Sequence, residues 1–242
     1  MFQYNEIQGG EKNMKIRKVF AILSVFSTLI FLSSCSKDAA TLTLLGHSTT
    51  KIVTKDGTVI YIDPYYDGDY KTPADIVLVT HAHSDHNRVD LITKKDSTIV
   101  ITQNEALKNE ALKKEEYQKF EEKGVIIEAV PANNQNHRIG CVGYLISFDG
   151  ITIYHAGDTS KIDTMANLAE RDITYAMYPI DGLYNMGPEE ATECANLVEA
   201  TYNIPMHTSS DLVSFDEENV KGFNPDGKTI IRYGDTILLK TP

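Results

Sequence analysis

From residue 41 onward, apolar positions recur with two different spacings. Short runs of β-branched and aliphatic residues occur at Thr41–Leu45 (TLTLL), Lys51–Thr54, Thr58–Ile62 (TVIYI), Ile76–Thr80 (IVLVT), Thr98–Thr102, Val125–Val130, Val142–Phe148, Ile151–His155 and Ile173–Tyr178. Each has the length and composition of a strand. Asp56-Gly57 and Asp149-Gly150 each separate two such runs and mark hairpin turns. Ile76–Thr80 is apolar almost throughout, as expected of a strand covered on both faces. Two stretches read as helices: Glu105–Lys123, rich in Glu, Lys, Leu and Ala, and Pro188–Tyr202. The second opens with proline and two glutamates, which suit the positive end of a helix. No repeat of fixed period and no linker-like stretch follows residue 40. The pattern predicts one mixed α/β domain over residues 41–242.

The N-terminus follows a different logic. Lys15, Arg17 and Lys18 precede an apolar run from Val19 to Leu32, which ends in Leu32-Ser33-Ser34-Cys35. A basic region, a short apolar segment and small residues make a secretory signal peptide, too short for a comfortable membrane span. The terminal L-S-S-C resembles a bacterial lipobox. That resemblance implies cleavage before Cys35 and lipidation of its sulfur. Residues 1–34 are therefore read as signal peptide and residues 35–40 as a short tether to a membrane-anchored, exported domain. An uncleaved anchor helix is the alternative. Residues 1–13 fit poorly ahead of a signal. The codons for Gly9–Asn13 can spell a ribosome-binding site, so Met14 is expected to be the start.

Charge narrows the partners. Acidic residues outnumber basic ones by 34 to 23, a formal net charge of −11. An acidic surface disfavours a nucleic-acid partner, which usually meets a basic face. Cys141 and Cys194 follow Cys35. Their spacing matches no metal-site pattern, so two buried thiols are expected, although an exported compartment also permits a disulfide.

Histidine carries the candidate chemistry. Of seven histidines, three fall in His81-Ala82-His83-Ser84-Asp85-His86, directly after an apolar strand. Imidazole and carboxylate are ligands for borderline-hard divalent ions. In an extended segment His81 and His83 would point the same way, and Asp85 and His86 would reach a second ion after the chain turns. His47, His137 and His207 sit in turn-like contexts or beyond apolar runs, and Asp158 follows Gly157 at a strand end. Donors gathered from distant loops make an open catalytic site. His155 lies within a strand and is read as a structural histidine. His47 is open between a residue supporting the site, a substrate contact at its mouth and a turn histidine. Tyr184 lies in Gly182-Leu183-Tyr184-Asn185, a loop-like run.

The order H-x-H-x-D-H, a later His, G-D-T and a final His resembles the metallo-β-lactamase superfamily. Leu45-Gly46-His47-Ser48, Ile62-Asp63-Pro64, Pro131-Ala132-Asn133, Gly143-Tyr144, Tyr154–Thr159 and Ile204–His207 are similar to its ascorbate-6-phosphate-lactonase-like branch. The resemblance runs from about Thr41 to the C-terminus. It implies an αββα sandwich of two mixed sheets flanked by helices. It also implies one divalent ion held by His81, His83 and His137, another by Asp85, His86 and His207, and Asp158 between them. Asp63 would orient the metal loop, and the loop with Tyr184, which approaches the site in that family, makes Tyr184 a candidate substrate contact. Asn133–Asn136 departs from the P-A-Y-N segment common before the His137 position, and Asp181 stands where glycine is usual.

The implied activity is a dinuclear hydrolase that uses a metal-bridging hydroxide on a small-molecule lactone, ester or amide, with Asp85 orienting the nucleophile or carrying its proton. Zinc is the expected metal, and manganese or iron accept the same donors. A phosphodiesterase of phospholipase D type is the first alternative, and a non-catalytic metal-binding lipoprotein the second.

Overall fold

A computed structural model of the chain describes residues 38–108, 116–136 and 140–242. The expected signal peptide, Cys35 and His137 lie outside the described residues. No helix among the described residues is long and apolar enough to cross a membrane.

The strands are β1 (Thr41–Gly46), β2 (Thr49–Val53), β3 (Val59–Ile62), β4 (Ala74–Leu78), β5 (Lys94–Ile101), β6 (Leu107–Lys108), β7 (Glu116–Tyr117), β8 (Lys119–Glu122), β9 (Val125–Pro131), β10 (Val142–Phe148), β11 (Ile151–His155), β12 (Tyr175–Pro179), β13 (Tyr202–Met206) and β14 (Thr236–Leu238). The α-helices are α1 (Gln103–Ala106), α2 (Pro188–Val198) and α3 (Glu217–Gly222). One sheet has the order β14-β1-β2-β3-β4-β5 and the other β13-β12-β11-β10-β9-β8. Within β1 to β5 the pairings run antiparallel, antiparallel, parallel, parallel. Within β9 to β13 the same series repeats. The two sheets are thus topological copies, although the sequence shows no repeat.

The expected two-sheet sandwich is found. Leu42, Leu44, Ile52, Ile60, Ile62, Ile76 and Leu78 of the first sheet share one core with Ile127, Tyr144, Ile146 and Ile153 of the second. The first sheet buries its other face as well. Val53, Val59, Tyr61 and Val77 form a second cluster with Leu45, Tyr70 and Ile92. Two covered faces explain why β3 and β4 read as continuous apolar runs. On the second sheet, α2 packs against β12 and buries Ala191, Cys194, Ala195 and Val198. Cys141 and Cys194 are buried free thiols.

The helix predicted over Glu105–Lys123 is not found beyond Ala106 among the described residues of that span, 107–108 and 116–123. Gln103–Ala106 is α-helical, the chain then enters β6, and the described residues after 115 form β7 and β8. Lys123 and Gly124 both take positive φ (52° and 77°), the turn that pairs β8 with β9. Phe120 and Tyr117 pack on the main core. Pairing and burial outweigh helix propensities that differ by only a few tenths of a kcal/mol per residue. The second predicted helix ends early. Glu199 adopts a left-handed cap (φ 58°), and Tyr202 begins β13 instead of ending α2.

Asp75, in β4, fastens the two sheets at one edge. Its carboxylate accepts from Val59 N (3.0 Å), Lys95 Nζ (2.7 Å) and Lys123 Nζ (3.2 Å), the last from the β8–β9 turn. Burial pushes its pKa up, but the Lys95, Val59 and Lys123 donors outweigh burial and hold it below the usual value. A lowered carboxylate pKa gives stability above the unfolded pKa of about 4 that is lost as pH falls through the folded value. Asp75→Asn is therefore expected to destabilise the chain by about 1 kcal/mol near neutral pH, a modest loss because both lysines are solvent-screened. Its urea midpoint will converge on wild type in acid. A deficit that stays constant down to low pH would contradict this assignment.

Candidate metal centre

The candidate residues gather where strands stop. Asp63 follows β3, the His81–His86 turn follows β4, Asp158 follows β11 and His207 follows β13, while His47 occupies the β1–β2 turn. Asp63 and Asp158 thus hang from topologically equivalent strands, β3 and β11. Backbone φ is positive at His47 (55°), Asp63 (47°), Gly157 (63°) and His207 (44°). Such conformations are uncommon for non-glycine residues and concentrate at functional sites. At position 157 only glycine fits, because a Cβ would lie 2.6 Å from the Val142 carbonyl oxygen.

Asp63 organises the first set. Its fully buried carboxylate accepts from Thr80 N (2.8 Å), Thr80 Oγ1 (2.7 Å) and His86 Nδ1 (2.9 Å). The His86 ring therefore presents Nε2. The Thr80 hydroxyl has one proton, and it goes to Asp63. Its 3.0 Å contact with His81 Nδ1 must then be one in which His81 Nδ1–H donates, which leaves Nε2 as that ring's acceptor nitrogen. The segment is not the extended run the alternation suggested. β4 ends at Leu78 and the chain turns, with His86 N donating to His83 O (3.1 Å). His81 and His83 stay adjacent all the same, with ring centroids 4.9 Å apart.

His207 also has a carboxylate beside its Nδ1, from a residue whose role the sequence did not disclose. Asp181 Oδ2 lies 3.1 Å from His207 Nδ1. Asp181 also accepts from the backbone nitrogens of Leu183 and Asn185 (2.9 and 3.4 Å), from Tyr184 N, and from Asn185 Nδ2 (3.0 Å). One carboxylate where glycine is usual thus orients a candidate ligand and caps the loop bearing Tyr184. The only available signal was that departure from glycine.

Tested against a divalent ion, the donor set fits. His86 Nε2 lies 3.4 Å from Asp158 Oδ1 and 3.7 Å from Asp85 Oδ2. His81 Nε2 and His207 Nε2 lie 3.8 and 3.9 Å from Asp158 Oδ2, and His47 Nε2 lies 3.5 Å from Asp85 Oδ2. These gaps are long for hydrogen bonds. They match donors sharing an ion, which at about 2.1 Å each sit roughly 3.4 Å apart across a tetrahedral edge. His86 Nε2 and His207 Nε2 are buried with no hydrogen-bond partner. Ligand atoms from His47, Asp85, His86 and His207 all lie within 4.8 Å of one another, as do those from His81, His86 and Asp158.

Charge follows the same plan. Burial lowers the pKa of His86, but Asp158, Asp63 and Asp85 outweigh burial and push it up to about 9. Burial raises Asp85, but the His47 ring and the charge of His86 prevail and hold it well below the carboxylate range. Burial takes His47 down to about 4. His155 is the structural histidine expected. Its Nε2 donates to Ser48 O (3.0 Å) and its Nδ1 accepts from Gly157 N (3.3 Å), tying together the two turns that carry His47 and Asp158.

A cavity of about 410 Å³ opens on the site, lined by His83, Asp85, Asn136, Asp158, Tyr184, His207 and Leu212. Tyr184 stands at its mouth, 42% exposed. Leu212 has φ 65°, a strained value for leucine, fixed by Asp211 accepting from Val213 N (3.0 Å) and Ser214 N (2.8 Å). His47 is not at the mouth. It is fully buried, because the β1–β2 turn tucks beneath the rings of His86 and His207. A larger concavity of about 750 Å³ beside Tyr65–Lys71 contains no histidine.

A two-sheet sandwich with histidines and aspartates converging at its strand ends defines a metallo-β-lactamase-type hydrolase fold. The Beta-lactamase superfamily domain matches residues 41–207. A UPF0173 metal-dependent hydrolase of Thermococcus kodakarensis is 35% identical over 186 residues, covering 67% of this chain and 82% of the relative. One from Pyrococcus furiosus is 33% identical over 224 residues, covering 81% of this chain and 98% of the relative. Igni18, a metallo hydrolase of Ignicoccus hospitalis, has the same fold at a TM-score of 0.65 and 23% identity, over 84% of this chain and 99% of its own. The chain belongs to the UPF0173 metal-dependent hydrolases of the β-lactamase superfamily.

An ion entering the site competes with the proton on His86. Zinc affinity is expected to rise with pH until about 9, where that proton is already lost, by about tenfold per pH unit for one displaced proton. Calorimetry in buffers of different ionisation heat measures the proton released. Affinity that stays flat between about pH 6 and 9 would contradict the assignment.

Proposed function

We propose that this chain hydrolyses a small-molecule lactone, another ester or an amide at a two-ion centre. In this reading His81, His83 and His137 hold one ion, Asp85, His86 and His207 the other, and Asp158 lies between them. The observation that carries the reading is the position of His86 Nε2, buried without a hydrogen bond and 3.4 to 3.7 Å from two carboxylates. Bound ions supply a water acidic enough to ionise near neutral pH and a Lewis acid for the substrate oxygen.

The protein's own groups do the rest. Asp85 is ionised and lines the cavity, so it orients the attacking water and accepts its proton. Asp63 accepts from Nδ1 of His86 and fixes that ring, and the Asp181 carboxylate 3.1 Å from Nδ1 of His207 favours Nε2 of that ring as the ligand atom. Asn136 Nδ2 donates to Tyr184 O (3.3 Å) and Asn134 Nδ2 to Asn185 Oδ1 (2.7 Å), joining the two loops at the mouth. Tyr184 contacts the substrate there, and Leu212 gives it an apolar wall. The likeness of Leu45–Ser48 and Ile62–Pro64 to the ascorbate-6-phosphate-lactonase-like branch favours a lactone over a β-lactam.

The test is a panel of lactones, bis(p-nitrophenyl) phosphate and nitrocefin on the full chain, before and after chelation. Lactone or ester turnover is expected, lost on chelation and restored by zinc, manganese or iron. Asp158→Ala will lower kcat/KM at least about 10²-fold, the loss typical of removing one transition-state stabiliser. Turnover confined to the phosphodiester would assign phosphodiesterase activity instead, and full activity after chelation would overturn the metal mechanism.

The basic region, apolar run and Leu32–Cys35 support a second element of the proposal, an exported lipoprotein tethered through Cys35. Cys35→Ala is expected to abolish incorporation of labelled fatty acid in cells and to move the protein from the membrane to the soluble fraction. Unchanged labelling would refute the anchor.

A further inference from the structure

His47 is the residue the catalytic scheme leaves without work. It is fully buried, and neither ring nitrogen makes a hydrogen bond of good geometry. Asp85 Oδ2 lies 3.5 Å from its Nε2, a long contact. Its ring centroid lies 3.7 Å from that of His207 and 5.4 Å from that of His86. The backbone is left-handed and firmly held. His207 N donates to His47 O (3.0 Å), and the next residue, Ser48, accepts from His155.

Burying an imidazole without partners costs about 1–3 kcal/mol, and a non-glycine left-handed backbone adds about 1. Packing alone does not explain that cost. His155 provides the internal comparison: it is equally buried, and both its nitrogens are engaged. Direct contact with substrate is excluded by burial, since His47 does not line the cavity. What remains is the direction of its nitrogens, toward Asp85, His86 and His207 and within 4.8 Å of their ligand atoms.

We propose that His47 is a direct metal ligand, completing a four-donor subsite with Asp85, His86 and His207. The inference rests on the two-ion reading above. It makes the centre asymmetric. The subsite containing His47 gains a protein donor from its buried side and holds its ion more tightly than the other. Both subsites border the cavity, one through His83 and Asp158 and the other through Asp85 and His207, and the subsite around His81 and His83 has no fourth histidine beneath it to fill its remaining position.

The test is metal binding by the full chain, as wild type, His47→Gln and His47→Ala. Cobalt titration followed by its visible spectrum, with metal content after dialysis, counts the ions and ranks their affinities. Wild type is expected to bind two equivalents, one far more tightly. In both variants the tight equivalent weakens by at least about 100-fold, the upper end of losses seen when a metal's supporting residues are removed. Its spectrum changes and the weak equivalent is retained. The metal-free unfolding midpoint holds or rises, because an unpartnered buried imidazole has gone, while the stabilisation given by zinc shrinks. Two ions bound with wild-type affinity and spectrum in His47→Gln would overturn the proposal and leave the two-ion reading intact. Failure of both metal-free variants to fold would make His47 a packing residue and also overturn it. A wild-type chain that binds no metal would overturn both.

Discussion

The buried carboxylate of Asp63 is the contact from which the site is built. It binds the end of β3 to the start of the metal loop through Thr80, and it binds the loop to itself through His86. Burial raises its pKa, and the neighbouring His86 charge more than reverses that, so the group stays ionised inside the protein. An ionised carboxylate with three good donors tolerates burial, whereas one without them would not. Through the single hydroxyl proton of Thr80, the same carboxylate also sets the tautomer of His81. Two candidate ligands thus take their orientation from one residue that need not touch an ion.

This local device depends on the larger plan. Two sheets with the same series of pairings face each other, and each delivers an aspartate at the end of its third strand in that series. The loops between strand ends then have only short distances to cross. Left-handed backbone at His47, Asp63, Gly157 and His207 turns the chain back at once, so the side chains converge instead of trailing into solvent. Asp181 and Asp211 do comparable work in the outer loops, each holding several backbone nitrogens with one carboxylate. Tyr184 and Leu212 at the rim stand on the loops that these two carboxylates hold.

Much of this was legible in the sequence, and the limits have physical causes. β1, β3, β10 and β11 were readable because their apolar runs end in turn residues such as Asp149-Gly150. The His81–His86 cluster, Asp158 and His207 stood out because such donors have no ordinary place beside apolar strands. The segment after Glu105 misled, since Glu, Lys and Ala favour helix while edge pairing and the burial of Phe120 decide for strand. β14 has three residues, two of them exposed, and leaves almost no pattern. Asp181 could be noticed as a departure from glycine, but its partner His207 is distant in sequence. The burial of His47 depends on long-range packing that no local window contains.

The most direct measurement is anomalous diffraction from crystals of the full chain grown with zinc. Two peaks about 3.5–4 Å apart are expected between Asp158 and the rings of His81, His86 and His207. An empty site at saturating zinc, or metal bound only elsewhere on the acidic surface, would contradict the account.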